Sequence, residues 1–160
     1  MQTQLSSRTK LVISIALCLG GGIASGFFSR SGLGTWFDAL NKPSWNPPAF
    51  LFGPVWTTLY ILMGISLWTI WKSDTPEGYK KKALTIFGVQ LCLNFTWSLL
   101  FFLWHSPAWA LVDILLMVVT IITTIFVFAE TSKKAAWLLV PYICWVSFAT
   151  ILNYTIWSLN

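Results

Sequence analysis

The sequence Pro107–Ala129, PAWALVDILLMVVTIITTIFVFA, is a long apolar run whose single charged residue is Asp113. A transmembrane helix needs about 20 consecutive, mostly apolar residues. Four other stretches have the same character, and together they predict five helices over about 11–28, 50–71, 83–104, 107–129 and 135–157. We therefore predict an all-α integral membrane protein, a five-transmembrane-helix bundle that forms one domain over residues 1–160.

The composition supports this fold class and excludes several others. Of 160 residues, 56% are apolar and 9% are charged, whereas soluble domains average about 25% charged residues. A soluble enzyme, a disordered tail and a secreted disulfide scaffold are therefore excluded. The three cysteines, Cys18, Cys92 and Cys144, lie in different apolar segments and show no paired spacing, so they do not define a redox compartment.

The basic residues flank the predicted helices, where they face lipid phosphates rather than forming one patch. We therefore expect membrane lipids as partners and no nucleic acid. Eight of them fall on one side of the membrane, namely Arg8, Lys10, Lys72, Lys80, Lys81, Lys82, Lys133 and Lys134. The other side carries Arg30 and Lys42. The positive-inside rule then predicts a cytoplasmic N-terminus and a C-terminus on the trans side.

The first apolar segment has two interpretations. Arg8 and Lys10 precede an apolar run that ends in small residues, which is typical of a signal peptide. The run continues to Phe28, however, and this length favours a membrane helix. Its glycines predict close packing against neighbouring helices, and they are Gly20, Gly21, Gly22 and Gly26. Together with Gly88, these glycines would also allow two copies of the chain to approach closely, so a homodimer is an alternative.

Amide and aromatic residues are aligned on single faces of three predicted helices. The second helix carries Phe52, Trp56 and Tyr60; the third carries Gln90, Asn94, Trp97 and Phe101; the fifth carries Trp145, Ala149 and Asn153, flanked by Phe148 and Leu152. Such amides can act as interhelical packing contacts. Three matching faces also suit a pocket for a flat, largely apolar ligand with polar edge groups.

The first loop, Ser29–Ala49, is aromatic and rich in proline. Trp36, Phe37 and Leu40 fall on one face of a short helix, and the prolines that follow stiffen the chain. This partly helical loop is predicted to act as a lid over the bundle, although tryptophans in such a position also serve as interfacial anchors.

Several ordered motifs resemble those of the TspO/MBR family, the translocator or peripheral benzodiazepine receptor proteins. They are Trp36-Phe37 to Leu40, Lys42-Pro43, Pro47-Pro48, Phe52-Gly53-Pro54-Val55-Trp56-Thr57 to Leu59-Tyr60, Gln90-Leu91 to Leu93-Asn94 to Trp97-Ser98 to Phe101-Phe102, and Pro141-Tyr142 to Trp145 to Phe148-Ala149 to Leu152-Asn153. The resemblance runs from about residue 11 to the end of the chain and is closest to bacterial members, which implies a bacterial cell membrane.

The resemblance implies a pocket for porphyrins, sterol-like lipids and benzodiazepine-type drugs that the first loop closes. The candidate ligand-binding residues are Trp36, Pro47, Phe52, Trp56, Tyr60, Asn94, Trp97, Trp145, Phe148, Ala149 and Leu152. In the family, the tryptophans that match Trp56 and Trp145 are implicated in light- and oxygen-dependent porphyrin breakdown. The chain departs from the family in two places: Phe37 replaces a common tyrosine, and no Lys or Arg follows Tyr154, so the sterol pattern of animal members is absent.

Three functions fit this sequence: a membrane receptor or sensor, an enzyme in which Trp56 and Trp145 are catalytic, and a porphyrin or lipid transporter. No cofactor is required, because the porphyrin is itself the ligand or substrate. No metal site is expected, since the single histidine, His105, has no companion ligands nearby. Asp113 is a site candidate as an intramembrane acid, but its position near the helix start favours a structural role.

Overall fold

The computed structural model describes residues 5–32 and 34–160, apart from the side chain of Ser31. It contains five spans long and apolar enough to cross a membrane. The predicted all-α, five-helix fold is therefore confirmed, and the chain is an integral, multi-pass membrane protein.

The described residues form seven α-helices, and six of them build the five spans. The seven helices are α1 Ser7–Gly32, α2 Trp36–Ala39, α3 Ala49–Trp71, α4 Glu77–Ser98, α5 Pro107–Thr131, α6 Lys133–Leu138 and α7 Val140–Leu159. A π-helical turn, Leu99–Leu103, continues α4. The first to fifth spans are thus α1, α3, α4 with its π turn, α5, and α6 with α7.

The helix ends differ from the apolar boundaries seen in the sequence. The third span begins at Glu77 rather than near Ala83, because its polar first turns are also helical. Tyr79 fixes these turns to α5, since its hydroxyl has two acceptors within hydrogen-bond distance, the Val127 carbonyl at 2.7 Å and Glu130 Oε2 at 2.6 Å. Hydropathy locates the apolar part of a helix, whereas capping and side-chain contacts determine where the helix ends.

The fifth span is interrupted where the sequence predicted a continuous helix. α6 ends at Leu138, and α7 begins at Val140 with Pro141 in its first turn. Proline lacks an N–H and is suited to the start of a helix. Pro141 therefore determines where the helix that carries Trp145 and Ala149 begins.

Glycines allow α1 to pack closely on its neighbours. A Cβ added at Gly64 of α3 would lie 2.7 Å from Ile15 Cα, so the two helices touch through their backbones. Side chains at Gly21 and Gly22 would overlap Phe95 and Tyr60. The packing prediction is therefore right for Gly21 and Gly22. It is wrong for Gly20 and Gly26, which face open space, because Cβ atoms there would meet nothing within 4 Å.

Candidate ligand-binding site

A cavity of about 630 Å³ lies between the first loop and helices α1, α3, α4 and α7. Most of the predicted site residues line it. They are Pro47, Phe52, Trp56, Tyr60, Asn94, Trp97, Trp145, Ala149 and Leu152. The three aromatic and amide faces predicted from the sequence thus meet at one cavity.

Two predicted site residues, Trp36 and Phe148, lie behind this lining rather than in it. The Trp36 ring stacks on His105 with centroids 4.6 Å apart and meets the Phe101 ring edge-on at 5.5 Å. Phe148 packs against Trp145 at 5.5 Å. Spacing along a helix or loop identified the correct region, but it could not show which rings face the cavity and which support it.

The sequence analysis missed the contribution of α1. This helix supplies Leu19, Gly22, Ile23, Ser25, Gly26, Ser29 and Arg30 to the cavity wall. It has no aromatic or amide stripe, so its only signal was a run of small residues, which we interpreted as packing. Small residues at Gly26 and Ser25 instead leave room beside the aromatic rings of α3.

A hydrogen-bond network forms one wall of the cavity. Tyr60 donates its hydroxyl to Asn94 Oδ1 at 2.6 Å, and Asn94 Nδ2 donates to the Tyr142 hydroxyl at 3.0 Å. Trp97 Nε1 likewise donates to Asn153 Oδ1 at 3.0 Å, while Asn153 Nδ2 donates to the Pro107 carbonyl at 2.8 Å. These amides connect helices, so they have the packing role, and they also line the cavity.

We expect Asn94→Ala to lower the free energy of unfolding by about 1 kcal/mol, because it removes the acceptor of the buried Tyr60 hydroxyl and one of the two partners of the Tyr142 hydroxyl. Thermal unfolding in detergent measures this. Thr96→Ala is the matched control, since Thr96 is exposed and bonds only to the Cys92 carbonyl of its own helix. An unfolding midpoint equal to that of the Thr96 variant would contradict a structural role for the network.

Other polar atoms of the lining have no partner. Trp145 Nε1 and Asn46 Oδ1 are both buried, and neither has a hydrogen-bond partner among the residues that the structure describes. A buried polar group without a partner is costly. A ligand with an acceptor near Trp145 and a donor near Asn46 would satisfy both atoms.

Two other buried polar residues do not line this cavity. Gln90 is 1% exposed, and neither atom of its amide has a partner in the described part of the chain. Asp113 is buried in α5, and its Oδ2 is likewise unpaired within residues 5–32 and 34–160. The structure therefore gives Asp113 no direct place in the candidate site.

The first loop covers one end of the cavity and contributes Phe37, Asn46 and Pro47 to its lining. Lys42 Nζ holds the end of α2 by donating to the carbonyls of Phe37, Asp38 and Leu40 at 2.6, 3.2 and 3.2 Å. Asn41 N donates to Asn160 Oδ1 at 2.9 Å, and Asn160 Nδ2 donates back to the Asn41 carbonyl at 3.0 Å. The loop is thus fixed at both α2 and the last turn of α7.

These features define a class of protein, a multi-pass helical membrane protein whose helices enclose an aromatic cavity. The chain belongs to the TspO/MBR family, whose model matches residues 14–158. This membership confirms the resemblance seen in the sequence and supports a receptor- or transporter-type role in a membrane.

Curated relatives match the chain along nearly its whole length. The Tryptophan-rich protein TspO of Chlorobaculum tepidum is 45% identical over 150 residues, covering 94% of this chain and 95% of that protein. The human Translocator protein is 40% identical over 150 residues, covering 92% and 87%. Protein CrtK of Rhodobacter capsulatus is 32% identical over 154 residues, covering 96% and 94%.

Proposed function

We propose that this protein is a membrane receptor or sensor that binds a porphyrin, a lipid or a benzodiazepine-type molecule in the cavity between its helices. The observation that carries this proposal is the meeting of Trp56, Trp97 and Trp145 at one cavity of about 630 Å³. Small-molecule sites typically have volumes of about 300–1,000 Å³ and are lined by aromatic residues with a few polar groups.

The lining favours a flat ligand. Trp56 is held by stacking on Tyr60 at 5.5 Å, and Trp97 by stacking on Phe101 at 5.1 Å. Rings held in this way offer an apolar surface at little cost in side-chain entropy. The unpaired Nε1–H of Trp145 then adds one directional contact for an acceptor on the edge of the ligand.

Absorption spectroscopy of protoporphyrin IX titrated with the purified protein tests this proposal. In the dark, we expect a saturable shift of the porphyrin bands without loss of intensity. Bands identical to those of the porphyrin in detergent alone, at every protein concentration, would contradict it.

Porphyrin degradation is a second candidate function. It is favoured by Trp56 and Trp145, which line the same cavity from different helices, because indole is an easily oxidised side chain. Under light and oxygen, loss of the porphyrin bands with new product peaks would support this chemistry. Transport of the same ligands is a third candidate, and the name of the human relative is consistent with it.

We propose that the protein lies in a bacterial cell membrane with its N-terminus in the cytoplasm. A reporter fused after Asn160 should then be on the trans side, and one fused before Met1 should be cytoplasmic, because basic residues are retained in the cytoplasm. A cytoplasmic C-terminal reporter would invert this orientation and place the first loop in the cytoplasm.

A further inference from the structure

Arg30 is a charged residue at the rim of an otherwise apolar and neutral cavity. It lies in the last turn of α1, and it is the one charged side chain among the described residues that line the cavity. Lys42, the other basic residue of this side, does not line the cavity. The position of Arg30 therefore calls for its own explanation.

Arg30 also has no acidic partner. Within residues 5–32 and 34–160, the structure pairs Lys80 with Glu77 at 3.9 Å, and it shows no ion pair or hydrogen bond for Arg30. Lys42 differs, because its amino group already donates to three carbonyls. The guanidinium of Arg30 is thus a free set of donors at the cavity rim.

The cavity opens sideways between α1 and α3. Ile23 and Phe50 line it and yet are 75% and 78% exposed, so they lie at its edge. Between the two helices, Gly26 and Gly53 also line the cavity, and added Cβ atoms there would meet nothing within 4 Å. A ligand can therefore place its apolar body among the tryptophans while a polar group stays at the edge beside Arg30.

We propose that Arg30 is an anion-recognition subsite, through which this cavity prefers flat apolar ligands that carry a carboxylate to neutral ligands of the same shape. This inference rests on the proposed function and names its ligand class. A guanidinium presents paired donors that match the two oxygens of a carboxylate, and such charge-assisted bonds are stronger than neutral ones.

Protoporphyrin IX and its dimethyl ester form a suitable pair of probes, because they share one ring system and differ in charge. Binding is measured in the dark, in nanodiscs of zwitterionic lipid. We expect the parent protein to bind the free acid about tenfold more tightly than the ester, the size of one charge-assisted hydrogen bond. Arg30→Gln should remove this preference, and Arg30→Lys should retain part of it.

Arg8→Gln is the matched control. It removes the same side chain from the opposite end of the same helix, where Arg8 is exposed and does not line the cavity. It should keep the preference of the parent. If Arg30 only stabilised the C-terminus of α1, Arg30→Gln would lower the unfolding midpoint but would leave the preference between acid and ester unchanged.

The possible results separate the two proposals. Equal binding of acid and ester by the parent, or a preference that survives Arg30→Gln, would overturn the role of Arg30 and leave the ligand cavity intact. Failure of the parent to bind either probe would overturn both.

A second set of nanodiscs, which contains phosphatidylglycerol, tests whether Arg30 binds a lipid phosphate instead of a ligand carboxylate. If this lipid abolishes the preference, Arg30 binds lipid phosphate instead, whereas a preference that persists supports the ligand carboxylate.

Discussion

Leucine in place of Ala149 is expected to weaken protoporphyrin IX binding by about 1–3 kcal/mol, which is roughly 5- to 150-fold. Ala149 lines the main cavity, and it also lines a small void next to Trp56 and Trp97. A small side chain at this point makes room for a ligand between the rings. The added atoms of leucine would occupy that space, and we expect the protein to remain folded because the cavity has room for them.

A titration followed by porphyrin absorption measures the effect. Ser147→Leu is the control, because Ser147 is an exposed residue of the same helix and does not line the cavity. Its affinity should equal that of the parent. If Ala149→Leu also binds as the parent does, with an unchanged unfolding midpoint, then α7 is not part of the ligand site.

Phenylalanine in place of Trp56 or Trp145 is expected to remove most of any light-dependent porphyrin loss while lowering affinity by only about 0.5–1.5 kcal/mol. Phenylalanine keeps most of the apolar contact and lacks the readily oxidised indole. Both tryptophans line the cavity, so a bound ring can contact either of them. The rate of band loss under constant light, compared with the affinity in the dark, separates chemistry from binding.

Trp137→Phe controls for the loss of an indole elsewhere, because Trp137 is 71% exposed and outside the cavity lining. It should bleach porphyrin at the parent rate. If both cavity variants do the same, the tryptophans only form walls, and the degradative function loses its candidate residues. If the parent protein bleaches porphyrin no faster than detergent alone does, the degradative function is excluded and only the receptor proposal remains.

The architecture was predictable because membrane insertion imposes long apolar runs on the sequence. The helix ends were less predictable from the sequence, since they depend on contacts between distant residues. Tyr79 illustrates this, because its bonds to α5 keep a charged first turn helical ahead of the apolar run. The break before Pro141 in the fifth span was not predicted, because hydropathy is continuous across it.

The site was predictable where polar and aromatic residues repeat along one helix face, as Phe52, Trp56 and Tyr60 do in α3. The contribution of α1 to the site was not predictable, because it consists of the space left by the missing side chain of Gly26 and the single charge of Arg30. Periodicity also could not distinguish a lining ring from a supporting one, which is why Phe148 was placed in the cavity. These distinctions depend on the rotation of each helix against its neighbours.

An experimental structure of the protein with protoporphyrin IX tests the central claim most directly. The account predicts density for the macrocycle inside the cavity, in contact with Trp56, Trp145 and Ala149. An empty cavity in a structure whose porphyrin lies only on the lipid-facing surface would contradict it.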